Sequence, residues 1–416
     1  MSKQKKILIF ELNWLGDILF SFPFLRAIRK RFPDAYITCV VVPRYASLLE
    51  FNPWINDVHV LSDNNGLSSL KERLLFIGLI RREKYDTCFF LKPSKTKTLM
   101  SRFAGIKERI GFGGKGAYLT EIVDMPRNEF IHRADQILAI AGGVGVTEAD
   151  GTYEYFYSEE DAQRADHVLH EAGGRIHRIV ALNPGGNWDA KRWPKEHFIL
   201  LAEKLLARFN DIEIVITGAK KDISLANEIV ESVSSSRCYT IAGKTGINEL
   251  AVVFKKSYLV VSADSGPLHL ASATGTTTIG LFGPTSPRIT GPRGKGENIV
   301  MFRPGDCEVP CYVENCEFDY CCMRAITPKE VFESCKRAAA LSFLVFPLLR
   351  LNFFANKTDK SITLKACSAV PGSVTFDAKK NASTTLPLAF SSSCFVRECL
   401  TTSFSGSNLP ALPISK

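Results

Sequence analysis

Short apolar, β-branched runs alternate along this chain with longer stretches of helical period. The first series covers residues 7–10, 36–42, 57–61 and 87–91; a second, beyond a polar helix-like stretch near 158–174, covers 179–183, 212–217, 239–242, 258–262 and 277–282. Runs of this length between helices are the pattern of strands buried in a parallel sheet. Each series opens with a strand that hands over to a glycine-containing turn, Gly16-Asp17 in one and Gly185-Gly186 in the other. The pattern predicts an α/β chain of two doubly wound, Rossmann-like domains, residues 1–157 and 178–337, joined by 158–177. Ligands of such sheets sit beyond the carboxyl ends of the strands, so a cleft between the two domains is the expected site.

The alternation stops at about residue 337, leaving 338–416 as an atypical tail. Residues 357–416 hold 18 Ser or Thr and show no sustained period, a composition that buries too little apolar surface to offset chain entropy, so the tail is expected to be largely disordered. The apolar stretch 338–354, with Arg350 and the later Lys357, Lys360 and Lys365, suits either an anionic membrane surface or packing against the preceding domain.

Charge and composition narrow the function classes. The formal net charge is +9, but the tail carries more than half of it, and no zinc-finger, helix-turn-helix or aromatic RNA-binding signature accompanies it; nucleic acid is not an expected partner. No apolar run reaches the roughly 20 residues that span a bilayer. The basic start, Met1 to Lys6, runs into the first strand without a signal-peptide core. A cytoplasmic location follows, and the 12 cysteines are expected to be reduced. Five of them, Cys307, Cys311, Cys316, Cys321 and Cys322, lack the close paired spacing of zinc ribbons, so no metal site is expected.

Three constellations could carry chemistry. In Asn13-Trp14-Leu15-Gly16-Asp17, Asp17 sits where the first strand turns toward a helix expected at 24–31; apolar neighbours would raise its pKa toward that of a useful base, although a helix cap has the same pattern. In Asn183-Pro184-Gly185-Gly186-Asn187-Trp188-Asp189-Ala190-Lys191-Arg192-Trp193-Pro194, the glycines allow backbone amides to approach a phosphate that Lys191 and Arg192 would neutralise; a solvated basic loop reads the same way. In Asp264-Ser265-Gly266-Pro267-Leu268-His269, a strand meets a helix amino terminus, which suits an anion, while Asp264 suits sugar hydroxyls or backbone amides. His269 could face the same ligand or simply pack.

Together, in this order, the three motifs resemble those of the lipopolysaccharide heptosyltransferases of glycosyltransferase family 9. Asn13 to Asp17, Ala190 to Pro194, Ala242-Gly243-Lys244-Thr245 and Asp264-Ser265-Gly266 carry the likeness over about residues 6–335. The resemblance implies a GT-B fold with an acceptor-binding first half and a second half that holds ADP-heptose. It implies Asp17 as base, Lys191 as phosphate-binding lysine, and Asp264, Ser265, Gly266 and His269 as a donor-binding motif. Gly185, Gly186, Asn187, Arg192, Asp222, Lys244 and Thr245 would complete the donor site, Asp222 through ribose hydroxyls. Asn13, Trp14 and Gly16 would face the acceptor, the inner core of lipopolysaccharide, in peripheral contact with the inner membrane.

The implied reaction is an inverting, direct displacement. It is expected to need no metal and no cofactor beyond the nucleotide-sugar substrate, since the sequence has no Asp-x-Asp pair. A sugar-nucleotide epimerase of the same fold, or a binding protein without turnover, are the competing classes.

Overall fold

The computed structural model describes residues 4–63, 67–113, 117–125, 130–147, 149–175, 178–305, 307–311, 316–349, 361–364 and 374–377. It forms two compact units, residues 1–340 and 341–416. The first contains two six-stranded parallel sheets.

The first half runs β1 (Lys6–Phe10), α1 (Leu15–Arg31), β2 (Tyr36–Val41), β3 (Asp57–Val60), α2 (Leu67–Glu83), β4 (Thr87–Phe90), α3 (Lys95–Phe103), β5 (Glu108–Phe112), β6 (Glu121–Val123) and α4 (Arg133–Ala139). The second runs α5 (Glu159–Glu171), β7 (Ile179–Asn183), α6 (Lys195–Arg208), β8 (Glu213–Ile216), α7 (Ile223–Val233), β9 (Cys238–Thr240), α8 (Ile247–Lys256), β10 (Ser257–Ala263), α9 (Gly266–Ala273), β11 (Thr277–Phe282), α10 (Pro287–Thr290), β12 (Asn298–Phe302), α11 (Cys321–Arg324) and α12 (Pro328–Leu349).

Sheet order is β3-β2-β1-β4-β5-β6 in one half and β12-β11-β10-β7-β8-β9 in the other. In both, the central strands are covered on both faces. The two-residue period of β1 sends Ile7 and Ile9 toward α1 and α4, and Leu8 and Phe10 toward α2 and α3. In the second half, Val180 and Leu182 of β7 meet α6, α7 and α12, while Ile179 meets α5 and α8.

The halves are joined by an apolar core. Phe20, Phe22 and Leu25 of α1 share one cluster with Leu270 and Ala271 of α9. From α4's amino end, His132 Nε2 reaches the Gly291 carbonyl at 2.8 Å, and Asp135 accepts from Arg293 at 2.7 Å. The chain has already crossed to the second half by Tyr153, whose amide donates to the Arg293 carbonyl; that of Tyr155 donates to the Ala273 carbonyl at 2.9 Å. Helix α5, within the segment expected to connect the domains, is closed by a Ser158–Asp161 capping box and buries Ala165 and Leu169 in the second half's core.

Three departures from the sequence reading have physical causes. Helix α1 begins at Leu15 rather than after Pro23, so Asp17 lies within its first turn and does not cap it; the cap position is Trp14. Pro23 misleads because it is disfavoured inside helices, where it removes one backbone hydrogen bond. Strands β5, β6 and β12 lie beyond the pattern that was legible, two of them at sheet edges with half-exposed, mixed sequences. In the tail, Ser361–Leu364 (β13) and Val374–Asp377 (β14) pair antiparallel where no element was expected; the rest of 350–416 lies outside the described residues.

Candidate active site

The strand order reverses between β7 and β10, and a crevice opens at the carboxyl ends of those two strands. The loop after β7 carries Gly185 to Arg192 on one side; on the other, the residues after β10 lead into α9. Helix α1 of the first half closes the floor. The resulting cavity, about 270 Å³, is lined by Trp14, Gly16, Asp17 and Phe20 from one half, and by Gly185, Gly186, Asn187, Trp188, Lys191, Arg192, Ala263, Asp264, Ser265, Gly266, His269 and Thr290 from the other.

Two glycines make the meeting of α1 and α9 possible. A β-carbon on Gly16 would stand 3.1 Å from His269 Cδ2, and one on Gly266 would stand 2.7 Å from Leu15 Cδ2. A side chain at Gly266 would force Leu15 to shift, and one at Gly16 would crowd the His269 ring. The close crossing brings Asp17, borne by the first half, into the second half's pocket.

A chain of polar contacts organises the donor side. Lys191 Nζ donates to Asp264 Oδ2 at 2.8 Å, and Thr290 Oγ1 donates to the same oxygen at 3.3 Å. The other carboxylate oxygen faces His269 Nε2 at 3.4 Å, while His269 Nδ1 lies 3.2 Å from the Tyr153 hydroxyl. That hydroxyl also accepts from the Arg293 amide at 2.9 Å. Because the ionised carboxylate of Asp264 can only accept, the Nε2 that faces it is the donor of that pair. Phe20 braces the ring edge-on at 4.6 Å. Burial opposes ionisation of Asp264, but the hydrogen bond from His269 and the charge of Lys191 outweigh it and hold its pKa well below the ordinary carboxylate value.

Asp17 is tuned the other way. Burial raises its pKa, against the opposing pull of Arg133, Lys92, His269 and Lys191. The two carboxylates are thus pushed apart, one a permanent anion and the other a proton acceptor poised above its usual range. Behind them, Glu11 at the end of β1 is 1% exposed and its pKa is raised to about 7 by burial, despite hydrogen bonds to its carboxylate and the charge of Lys97.

Cations and open backbone groups face the pocket's donor end. An ammonium has three N–H donors, and Lys191 gives one to Asp264. Arg192 donates to the Gly186 carbonyl at 2.8 Å, and Lys221 donates to the same carbonyl and to the Asn187 side chain. Ser265 occupies the cap position of α9 without capping it through its side chain; Pro267 has no N–H and the Leu268 amide donates to the Ser265 carbonyl at 3.1 Å, so the Gly266 amide is the one the helix start leaves to an anion.

Not every residue nominated by the sequence lines this cavity. Asp222, 5% exposed, accepts from the Ala219 amide at 3.0 Å and backs Gly185, where a β-carbon would come 2.4 Å from its Oδ2. It shapes the glycine loop from behind. Lys244 is exposed and borders a separate shallow pocket with Arg164 and Glu249; Thr245 does not line the cleft. Asn13 offers its carbonyl to Arg44 at 3.1 Å. Conversely, Thr290 and Tyr153 escaped the sequence reading because each is bland and distant in sequence from the motifs, while Phe20, Trp188 and Lys221 lie inside or beside the motifs without having been assigned to the site. Only a Trp188 ring 5.4 Å from Lys191 had a local signal, the aromatic next to a basic pair.

The cysteine cluster lies just behind this loop. Cys307, Cys311, Cys316, Cys321 and Cys322 border a cavity of about 20 Å³ together with Ala190. Cys311, Cys316, Cys321 and Cys322 are free thiols, and among the described residues no three metal-ligating side chains are grouped to hold an ion.

A sequence-family model for glycosyltransferase family 9 (heptosyltransferase) matches residues 73–321, more than half of the chain. The chain belongs to glycosyltransferase family 9. Among curated proteins, this glycosyltransferase is 25% identical over 311 residues to lipopolysaccharide heptosyltransferase 2 of Escherichia coli K12, covering 72% of this chain and 89% of that one. The solved structure of E. coli ADP-heptose lps heptosyltransferase II aligns with a TM-score of 0.68 at 23% identity, over 81% of this chain and 99% of that one. A family 9 glycosyl transferase from Veillonella parvula aligns with a TM-score of 0.71 at 21% identity, over 81% and 98%. These structures share with the family 9 chain its GT-B architecture of two parallel-sheet domains.

Proposed function

We propose that this glycosyltransferase moves heptose from ADP-heptose to the inner core of lipopolysaccharide, with inversion at the anomeric carbon. One observation carries the reading: a base from the first half and an anion-binding loop and helix end from the second line the same cavity. Asp17 takes the proton of the acceptor hydroxyl, whose oxygen attacks the anomeric carbon as the bond to the diphosphate breaks. The leaving ADP meets Lys191, Arg192 and the Gly266 amide at the start of α9. These groups supply the positive charge that the departing diphosphate needs, so the step is written without a metal.

Asp264 has two tasks in this scheme. It holds the Lys191 ammonium in place before the donor arrives, and its ionised state, maintained by His269, keeps that hold through neutral pH. Names of the aligned relatives support heptose as the sugar and lipopolysaccharide as the acceptor. The proposal is tested by incubating the full chain with ADP-heptose and defined inner-core acceptors and weighing the product. A product heavier than the acceptor by one heptose residue, in the inverted configuration, is the expected result. Conversion of the nucleotide sugar to an isomer without acceptor would instead identify an epimerase.

A further inference from the structure

Helix α2 carries a surface that the cleft does not use. It packs inward through Phe76 and Ile80, which join Leu8, Phe10 and Cys88 in the core. Outward it exposes Leu70, Leu74 and Leu75 to 53%, 60% and 66%. Lys71, Gly78, Arg81 and Arg82 are exposed as well. At 100° per residue these seven positions share one arc of about 140°.

The charge on that arc is of one sign. Both carboxylates of α2 are drawn away from it: Glu72 accepts from the Ser62 amide at 2.8 Å, and Glu83 pairs with Lys6 at 2.9 Å. What remains outside is three leucines and three cations, Lys71, Arg81 and Arg82, with no ion pair to any of the three among the described residues. A protein partner would have to match the leucines and supply several acids in register. An anionic bilayer meets both demands at once, accepting leucines at the acyl boundary and cations at the headgroups.

Position in the fold agrees. Strand β3 feeds α2, and its sheet is parallel, so the leucine-bearing amino end of α2 lies at the sheet end where the cleft opens. Arg44 ties the two places together: it pairs with Asp63 on the β3–α2 connection at 3.1 Å, donates to the Asn13 carbonyl, and lies 5.7 Å from the ring of Trp14, itself 53% exposed at the cleft.

We propose that the outer arc of α2 seats the enzyme on an anionic lipid surface, with the acceptor side of the cleft beside the bilayer. This deepens the lipid-acceptor reading above and rests on it only for what the enzyme collects there. The sequence nominated 338–354 for such a role, but the side chains of 339–354 are outside the described residues.

The full chain is sedimented with phosphatidylcholine vesicles, with and without about a third phosphatidylglycerol. Binding is expected to the anionic vesicles alone and to weaken with salt. Replacing the leucines together (Leu70→Ser, Leu74→Ser, Leu75→Ser), or the cations together (Lys71→Gln, Arg81→Gln, Arg82→Gln), is expected to lower partitioning by about tenfold or more in either set. Unchanged thermal unfolding, and unchanged turnover of a delipidated acceptor, are expected of both. Wild-type partitioning in both variants, or none in the parent chain, overturns the proposal. So does light scattering that shows the parent as an oligomer and the serine variant as a monomer, which would make the arc a contact between copies. If vesicles bind as expected while no heptose moves to the delipidated acceptor, the catalytic reading fails and the surface stands.

Discussion

Replacing Asp17 by asparagine separates the base from everything around it. The amide keeps the size and position of the carboxylate but cannot accept the hydroxyl proton. Loss of a positioned base slows transfer by about 10²–10⁴-fold, or about 3–5 kcal/mol of barrier. The substitution should not unfold the protein. Burial raises the Asp17 pKa in the folded state, so the ionised carboxylate is favoured less there than in the unfolded chain. Its contribution to stability is present at low pH and is lost as pH rises through the raised value. The asparagine variant is therefore expected to melt at or above the wild-type temperature at neutral pH. Donor binding should also survive, because Lys191, Arg192 and the start of α9 are untouched. The assay is ADP release with a defined acceptor, beside calorimetric titration of ADP and thermal unfolding. In the wild type, the acid limb of kcat/KM should lie above the ordinary carboxylate range. Wild-type turnover by a folded asparagine variant would refute the reasoning and leave Asp17 a structural residue of α1.

Lys191→Ala should weaken ADP binding by about ten- to a hundredfold and slow transfer as well, since the ammonium meets the diphosphate before and during bond breaking; an unchanged ADP dissociation constant would remove it from the site. Tyr153→Phe strips the hydrogen-bond partner from His269 Nδ1 and the acceptor from the Arg293 amide, so kcat should fall more than donor affinity, with a change of imidazole tautomer visible by nitrogen NMR. An unchanged tautomer would show that the hydroxyl does not position the ring. Glu11 is protonated over a wider range when folded: with its pKa raised from 4.5 to about 7, stability should decline as pH rises between those values, by about 3 kcal/mol at most. Glu11→Gln should flatten that decline, measured as denaturant midpoints from pH 4.5 to 8; an identical slope in the variant would assign it elsewhere.

The parts of the fold that were legible are those buried on both faces. Strands such as β7 and β11, almost wholly buried, stand out as short β-branched and apolar runs between helices, and their bounds agree with the sequence reading to the residue. Strand β5, Glu-Arg-Ile-Gly-Phe, pairs Glu108 with Lys5 and turns only three positions inward, so its run is too mixed to announce a strand. In the site, motifs that follow a strand directly were readable, because a strand end, a glycine and a charged side chain lie together in sequence. Tyr153 was not. Its hydroxyl reaches His269 across 116 positions, and one tyrosine in the run Tyr153-Glu154-Tyr155-Phe156-Tyr157 has no local mark of that contact. Asp222 shows the reverse case: a local acidic signal at a loop that the tertiary packing of Gly185 turns away from the ligand.

The contact of Gly16 with His269 and of Gly266 with Leu15 makes the bottom of the cleft a spine that cannot be widened without unpacking two helices. The base on α1 and the donor anchor at the start of α9 are thus set against each other across bare backbone. Inheritance is constrained in the same way. First and second halves taken from different relatives would keep this crossing unchanged only where both supply a bare backbone there; a methyl group at Gly266 would press on the Leu15 side chain, and one at Gly16 on the His269 ring beside the base.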